Sequence, residues 1–506
     1  MILVLVLVVI ALLSLSAYTF TELMYTEHQA VDLHGRALQS RSLADSGVEM
    51  VKRFVVQEEE LRSEAGGIYN NPDHFQGVQV TGDELSTAHD RGRFTVVAPI
   101  IEEGVLADGV RFGLEDESTR LNLNTLVLAD QYQENGGRTL LMSLPGMTEP
   151  IADAILDWID EDSDTREFGA EADYYSSLDP PYAPKNGPLE TVEELLLVRD
   201  ITPILLFGPD ANRNGRMDPQ ESQAGNVGGI DNSTGVLNRG WSAYLTLYSM
   251  ERNLRPDGTP RIDLNAEDLT QLYTDLETVM GADFATFIVA YRQNGPYTAT
   301  GTTTLKPEKA NGRKLDLTQA AKTTIQNTLD LVGPNVQVKF EGDGQAVLLE
   351  TPFPNLPLVM NAFLPILMDN VAANPSPIIP GRINVNQAPK TILMGVPGMT
   401  EEIADQIISQ REPEVSAEKP NRRSETWLLG EGLVDLELMK QMSPFVCGGG
   451  HVYRAQVVGY FEDGGPATRI ETVIDATAEE PRVVMWRDIS HLGRGFALET
   501  LGIEAE

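Results

Sequence analysis

A twelve-residue segment at positions 210–221, DANRNGRMDPQE, has the side-chain spacing of an EF-hand calcium loop. Ca²⁺ binds about six to eight oxygen atoms, which such a loop supplies from alternating Asp and Asn side chains, one carbonyl and a closing Glu. Gly215, at the sixth position, permits the sharp bend that the loop requires. The predicted ligands are Asp210, Asn212, Asn214, Arg216 through its carbonyl, Asp218 and Glu221. The alternative is an Asp/Asn/Gly-rich surface turn that binds no ion.

The flanks of this loop are not typical of a paired EF-hand. Pro203 and Pro209 are expected to disturb an entering helix, and the exit, SQAGNVGGIDN, has no obvious helical pattern. We therefore expect one loop clamped by Ca²⁺, and not a sensor that opens when the ion binds.

A second acidic cluster lies in the segment DWIDEDSDTREFGAEADYY. Asp160, Asp162, Asp164 and Glu171 occupy positions one, three, five and twelve of a loop, but the sixth position is Thr165 where an EF-hand needs Gly. Carboxylates this close repel one another unless a cation neutralises them. A second calcium site and a solvated acidic turn both remain open.

The composition excludes several classes of function. The 506 residues include 38 Lys and Arg against 75 Asp and Glu, which gives a formal net charge of −37. Such acidity opposes nucleic-acid binding, which depends on Lys and Arg contacts to phosphates, and it suits Ca²⁺. Cys447 is the only cysteine, so no internal disulfide forms. No nucleotide-binding, nucleophile-elbow or metalloprotease motif appears, so we expect no enzyme activity.

The N-terminus predicts a membrane anchor that continues as a long helix. Residues 2–13 are uninterruptedly apolar, and the apolar stretch extends to Phe20, long enough to span a bilayer. Helical periodicity then continues to about Gln57. We expect a single membrane-spanning helix at residues 2–20, followed by an amphipathic stalk. A cleaved signal peptide, or an anchor followed by an unrelated helix, are the alternatives.

Strand patterns lie at both ends of the remaining chain. Residues 93–101 and 110–115 predict a hairpin, and residues 452–461, 467–475 and 482–486 predict three further strands. Because neither group can bury a sheet face alone, we expect one antiparallel sheet packed on the N-terminal helix. The fold class is then α+β, interrupted by a large, mainly helical insertion.

The insertion contains internal repeats. RLNLNTL precedes LMSLPGMTEPIADAILDWI, RINVNQA precedes ILMGVPGMTEEIADQIISQR, and RIDLNAEDL precedes the weaker copy VMGADFATFIVAYR. Each copy predicts two helices around a turn, with Asn124, Asn265 and Asn386 as helix N-caps. The turns are similar to helix-hairpin-helix elements, but Met147 and Met399 replace their second glycine and few basic residues flank them. A structural module is favoured over DNA binding.

Residues 296–381 differ from these repeats. A predicted helix over residues 317–331 and the strand-like VQVKF and AVLLE indicate a small α/β insertion. The resulting division is the stalk helix at 1–57, two parts of an α/β domain at 58–118 and 446–506, helical regions at 119–295 and 382–445, and the insertion at 296–381.

Taken together, these segments resemble type II secretion system protein K, the large minor pseudopilin. The features that carry the resemblance are the apolar start with LHGRALQSRSLADSGVEMVKRF, then ESTRLNLNTL, DWIDEDSDTREFGAEADYY and RINVNQAPKTIL. The resemblance implies a pilin-like domain interrupted by SAM-like repeats, bound calcium in the insertion, and an inner-membrane protein with its bulk in the periplasm. It also implies a place at the pseudopilus tip with the I- and J-type minor pseudopilins, and a role in starting assembly.

Two departures from pilin sequences accompany this resemblance. The basic leader that prepilin peptidase removes is missing, so the start lies upstream, the numbering begins near the mature end, or processing does not occur. Position five is Leu5, where most pilins have Glu. Members of the protein K family also lack this Glu. A minor pilin of a type IV pilus or DNA-uptake apparatus and a membrane-anchored hydrolase are the alternative functions.

Overall fold

The structure is a computed structural model that describes residues 2–83, 85–210, 212–216, 218, 221, 239–298, 306–416 and 418–503. All six predicted ligands of the loop 210–221 fall within these ranges.

The longest element is helix α1, Ile2–Val55, which confirms the predicted continuous helix. Its buried residues begin at Ser40 and recur on one face to Val55, whereas the part before Ser40 is almost wholly exposed. The most apolar 18-residue window has a mean hydropathy of 2.7 and buries nothing within the structure. Within the described ranges, α1 is the one helix long and apolar enough to cross a membrane.

Fourteen shorter α-helices follow along the described chain. They are α2 Glu59–Glu64, α3 Pro72–Phe75, α4 Leu126–Tyr132, α5 Gly136–Leu141, α6 Glu149–Ile159, α7 Ala172–Tyr175, α8 Pro203–Phe207, α9 Leu269–Met280, α10 Ala282–Asn294, α11 Pro357–Asn370, α12 Lys390–Leu393, α13 Glu401–Gln410, α14 Trp427–Gly430 and α15 Leu436–Met442. Most lie between the two groups of long strands, as expected for a helical insertion.

The strands of the described chain fall into one large sheet and several small ones. They are β1 Val78–Thr81, β2 Gly92–Glu102, β3 Val105–Phe112, β4 Glu115–Asp116, β5 Leu121–Asn122, β6 Leu245–Thr246, β7 Met250–Arg252, β8 Ile262–Asp263, β9 Pro307–Glu308, β10 Val336–Val338, β11 Val347–Leu349, β12 Val371–Ala372, β13 Ile378–Pro380, β14 Ile383–Asn384, β15 Val446–Cys447, β16 Val452–Phe461, β17 Thr468–Asp475 and β18 Arg482–Asp488.

The large sheet joins the two ends of the chain, as predicted. Its order is β1-β2-β16-β17-β18, with β3 paired to β2 and β4 paired to β16, and all pairs are antiparallel. The central pairing places Val457 of β16 opposite Val96 of β2. These two residues, with Phe94 and Ile470, form a core against Val48 and other residues of α1. Burial of this face fixes the strand register, because a shift by one residue would expose it.

The repeats are structurally equivalent in three ways. Each begins with a two-residue strand that pairs in parallel with a later one: β5 with β6, β8 with β12 and β14 with β15. Each then forms a helix, a turn and a second helix. The turns contain a glycine with positive φ, at Gly146, Gly281 and Gly398.

The prediction that Asn124, Asn265 and Asn386 cap helices is wrong. Their side chains bind the backbone of distant segments, and in all three copies the amide nitrogen donates to a carbonyl at least 36 residues away in the chain. The residue two positions earlier in each copy instead accepts the backbone N–H of this Asn. Long-range contacts therefore use the side chains that a local pattern assigns to helix ends.

The insertion at 296–381 contains the two predicted strands, as β10 and β11 in a three-stranded sheet with β9. The predicted helix at 317–331 is wrong, since only Thr328–Leu331 is helical, as a single 3₁₀ turn. Hydrogen bonds of Thr318 and Asn265 account for the absence of a helix before Thr328. The Thr318 hydroxyl and N–H donate to Asp316, and the Asn265 side chain binds the backbone of Ile325, so the segment's polar groups have partners outside a helix.

Candidate calcium sites

The first candidate site follows helix α8. Pro203 is in the first turn of this helix and Thr202 caps it through its hydroxyl, which accepts the Leu205 N–H at 3.4 Å. Pro203 therefore starts the helix instead of disturbing it, as proline tends to do in this position. The helix ends at Gly208, which has a φ of 64°. Two residues later the chain reaches Asp210, the first predicted ligand.

The side chains of the loop are held by turns of the loop's own backbone. Asn212 Oδ1 accepts the Asn214 N–H at 3.0 Å, and Asn214 Oδ1 accepts the Arg216 N–H at 2.8 Å. Asp210 Oδ2 accepts the Gly215 N–H at 3.0 Å. These bonds gather the side-chain oxygens of Asp210, Asn212 and Asn214 around one bend of the backbone, and oxygen atoms are the ligands that Ca²⁺ binds.

The last predicted ligand closes the loop. Glu221 Oε2 accepts the N–H of Asp218 at 3.0 Å, so position twelve returns to position nine. The amide nitrogens of Asn212 and Asn214 both reach Asp218 Oδ2, at 2.6 and 3.2 Å. All five predicted side-chain ligands thus share one hydrogen-bonded loop. Asp210, Asn214 and Glu221 are buried.

Burial and two nearby guanidinium groups act in opposite directions on the charge of Asp210. Burial raises the pKa of Asp210, while the backbone N–H of Gly215 and the nearby Arg239 and Arg469 guanidinium groups oppose that rise. A buried carboxylate disfavoured in its charged form gains from a bound cation. Within the described ranges, no three His, Cys, Asp or Glu side chains form a preassembled metal site. A calcium site here would depend on the two Asn amide oxygens and the Arg216 carbonyl as well.

The second candidate site lies at the end of helix α6. Asp160 and Glu171 are buried, and Asp160 Oδ1 and both Glu171 carboxylate oxygens have no hydrogen-bond partner in the structure. Burial, followed by the charges of Asp162 and Asp157, raises the pKa of Asp160 to about 6. Buried carboxylate oxygens without partners are costly, and a bound cation is one group that would satisfy them.

The structure modifies the predicted ligand set of this second cluster. Asp162 and Asp164 are exposed, and Asp162 Oδ1 accepts the Asp164 N–H at 2.8 Å. Asp157, in the last turn of α6, is fully buried, and burial raises its pKa to about 6. The Glu171 charge also raises this pKa.

Asp157 is the residue that sequence reasoning missed. It belongs to the run IADAILDWI, where apolar residues dominate and an isolated Asp would be taken for the solvent face of the helix. Its neighbour one turn earlier, Asp153, is also fully buried and forms an ion pair with Arg138 at 2.7 Å. Two Asp residues four apart within an apolar helix are the signal that could have identified this polar face.

The elements around these sites define a class of protein. A long N-terminal helix, exposed over an apolar first part that is long enough to cross a membrane, packs its second part on an antiparallel sheet, which fits an α+β pilin-like fold. Residues 119–206 match the model of the family type II secretion system (T2SS), protein K. This segment contains the first repeat and the second candidate site. The match confirms the predicted relation to protein K.

The comparisons with curated proteins and with solved structures give no further argument for a family. No curated protein matches the chain. Among solved structures, the chain is similar to one from "The Crystal Structure of the GspK-GspI-GspJ complex from enterotoxigenic Escherichia coli Type 2 Secretion System". The sequence identity is 12%, the alignment covers 91% of this chain and 99% of that chain, and the TM-score is 0.34. A TM-score of this size is too low to establish a common arrangement.

Proposed function

We propose that this chain is a minor pseudopilin of a type II secretion system, which caps the pseudopilus tip and helps to start its assembly. The match of residues 119–206 to protein K carries the proposal. The pilin-like helix and sheet support it, because α1 leaves its apolar face exposed before Ser40 and therefore available to the helices of neighbouring subunits. The finer assignment of the repeats as SAM-like, and the six-part domain division, belong to the same proposal.

The partners that we propose are the I- and J-type minor pseudopilins. The test is co-expression of the full chain with both proteins of the same organism, followed by purification in detergent. We expect a complex of all three. The substitution Val31→Asp, on the exposed part of α1 beyond the predicted membrane span, should weaken it. Leu128→Asp on α4, also exposed, is the matched control and should leave it intact. Failure of the unmodified chain to form any such complex would contradict the proposal.

The proposed location is the inner membrane, crossed once by residues 2–20, with the rest of the chain in the periplasm. The exposure and hydropathy of α1 support the anchor. The orientation rests on the proposed pseudopilin role alone. The basic residues begin only at Arg36, after the span, and the positive-inside rule by itself would predict the opposite orientation. Protease added to spheroplasts should digest the bulk of the chain. If protease digested the chain only when added to inverted vesicles, which expose the cytoplasmic face of the membrane, the bulk of the chain would lie on the cytoplasmic side.

We also propose that the loop 210–221 binds one Ca²⁺ through Asp210, Asn212, Asn214, Asp218, Glu221 and the Arg216 carbonyl. The clustering of the Asp210, Asn212 and Asn214 side-chain oxygens around one bend supports this ligand set. We propose a second ion at Asp160 and Glu171, assisted by Asp157 and Asp162. The unpartnered buried oxygens of the first two residues support that site. Bound Ca²⁺ would neutralise carboxylates that otherwise repel one another.

The calcium proposal is tested by titrating the full chain in detergent with Ca²⁺ after EDTA treatment. We expect two bound ions, one lost in Asp210→Ala and the other in Glu171→Gln. At tenfold excess over Kd, each ion should stabilise the folded protein by about 1.4 kcal/mol, which a thermal melt detects. If Ca²⁺ raised the melting temperature of Asp210→Ala as much as that of the unmodified chain, and the ion count were equal, the loop would not be a calcium site.

A further inference from the structure

The outer side of the loop 210–221 is bound to the pilin-like sheet. Arg469 of β17 donates from Nη1 to the Asn212 carbonyl at 2.8 Å and from Nη2 to the Arg213 carbonyl. Gln456 of β16 donates to the same Arg213 carbonyl at 3.3 Å. The Arg469 residue is fully buried. Two strands of the sheet therefore bind backbone carbonyls of the loop directly.

The same loop contacts residues 494–503, which we call the 494–503 segment. Asn214 Nδ2 donates to the Gly495 carbonyl at 2.9 Å, and Arg216 Nη1 donates to Thr500 Oγ1 at 3.3 Å. The segment also buries Phe496 and Leu501 in a small core with residues of β2 and β16. It is thus held on one side by apolar contacts with the sheet and on the other side by the loop.

Asn214 connects the inside of the loop with this segment. Its Oδ1 accepts the Arg216 N–H. Its Nδ2 lies within hydrogen-bond distance of the Gly495 carbonyl, at 2.9 Å, and of Asp218 Oδ2 in the loop, at 3.2 Å. The residue is 4% exposed, so its amide has little freedom to rotate. An amide plane that presents its oxygen to an ion inside the loop presents its nitrogen to Gly495 at the same time.

We propose that Ca²⁺ binding in the loop 210–221 locks the 494–503 segment onto the pilin-like sheet, with Asn214 and Arg469 as the positioning residues. This inference rests on the proposed calcium site. The ion would fix the Asn214 amide and pull Asp210, Asp218 and Glu221 together. Without the ion these carboxylates repel one another, which loosens the loop and weakens its hydrogen bonds to the segment.

Two matched substitutions separate this inference from calcium binding itself. In EF-hand calcium loops, the ligand at the third position and the ligand at the fifth position can each be Asp or Asn. Asn214→Asp keeps an oxygen for the ion but loses both bonds of the amide nitrogen, the one to the Gly495 carbonyl and the one to Asp218 within the loop. Asn212→Asp makes the same chemical change two residues earlier, where the side chain bonds within the loop to Asp218.

The measurement is hydrogen exchange of the full chain in detergent, with EDTA and with saturating Ca²⁺, alongside a calcium titration of each variant. In the unmodified chain and in Asn212→Asp, Ca²⁺ should slow exchange in the 494–503 segment by about fivefold, the worth of one hydrogen bond. In Asn214→Asp, Ca²⁺ should still bind and protect the loop but leave the segment's exchange unchanged. Equal protection of the segment in Asn214→Asp would overturn the inference while leaving the calcium site in place. Absence of any ion bound at the loop in the unmodified chain would overturn both.

Discussion

His451 shows at the residue scale how burial sets the charge state of a side chain. Its Nδ1 accepts the backbone N–H of Arg252 at 3.2 Å, so the ring is neutral with its proton on the other nitrogen. Burial, with the positive charges of Arg252, Arg62 and Arg261, lowers its pKa from 6.5 to about 3. The ring lies beside β16, where α2 and the loop before β16 meet.

The stability contributed by neutral His451 should be lost in acid. Because its folded pKa lies below the unfolded value of 6.5, its contribution is complete above that pH and falls as pH decreases toward 3. Between pH 7.5 and 5 the loss from this group is about 2 kcal/mol. His451→Asn, whose Oδ1 can accept the same N–H, should have a shallower decrease of melting temperature over that range. An unchanged pH dependence in the variant would show that the pKa of His451 is not lowered in the folded protein.

Asn386 is a second test at this scale. Its amide nitrogen donates to the carbonyls of Arg422 and Gly448, both at 2.7 Å, and its oxygen accepts from Trp427 at 3.1 Å. Asn386→Ala would leave these buried groups unpaired and should cost about 3 kcal/mol, measured as a decrease in thermal stability. Asn361→Ala removes a bond from an exposed residue and serves as control. A loss no larger than that of the control would contradict the anchoring role of Asn386.

At the scale of elements, the helical repeats depend on turns that only glycine forms without strain. Gly398 has a φ of 82°, and a Cβ there would lie 2.5 Å from Leu438 Cδ1. Gly281 has a φ of 95° in the equivalent turn, but a Cβ there meets nothing within 4 Å. The two positions therefore separate backbone strain from steric overlap.

We expect Gly281→Ala to cost about 1 kcal/mol from backbone strain alone. Gly398→Ala should cost roughly 1 kcal/mol more, because the new methyl group must displace Leu438. Thermal melts of the full chain measure both. Equal losses would mean that α15, which carries Leu438, moves at no cost.

At the scale of the whole molecule, the close approach of α1 to the sheet holds the two ends of the chain together. Gly47 of α1 faces Val457, where a Cβ would come within 2.6 Å of Cγ1. Gly459 of β16 lies against the backbone of α1, and a Cβ there would clash with the Ser40 carbonyl. Ser40 also shares a hydrogen bond of 2.9 Å with Thr468 of β17.

Gly459→Ala should therefore force α1 away from the sheet and cost about 3 kcal/mol, at the upper end of typical overpacking losses. Gly344→Ala is the control, because a Cβ at that position meets nothing within 4 Å. A protease should cleave the chain segment between α1 and the first strand of the sheet faster in Gly459→Ala, but not in Gly344→Ala. Full stability of Gly459→Ala would show that the helix and sheet are not tightly packed.

The sequence alone determined the features that depend on local chemistry. The periodicity of apolar residues predicted α1 to within about two residues, and alternation predicted β2, β16 and β17 closely, because these patterns follow from the geometry of one element. The spacing of the loop 210–221 predicted its hydrogen-bonded bend for the same reason, although calcium binding stays a prediction. Repetition of short motifs predicted equivalent helical units.

Only the tertiary structure decided how distant segments combine. β2 and β16 pair across some 360 residues of sequence, and no local pattern specifies that partner. Asn124, Asn265 and Asn386 bind remote backbone rather than helix ends, and Asp157 is fully buried inside an apolar run. The contact of the loop 210–221 with the 494–503 segment is likewise invisible in sequence. The physical reason is that burial and long-range hydrogen bonds depend on which surfaces meet when the chain packs, whereas propensity and spacing act only between near neighbours.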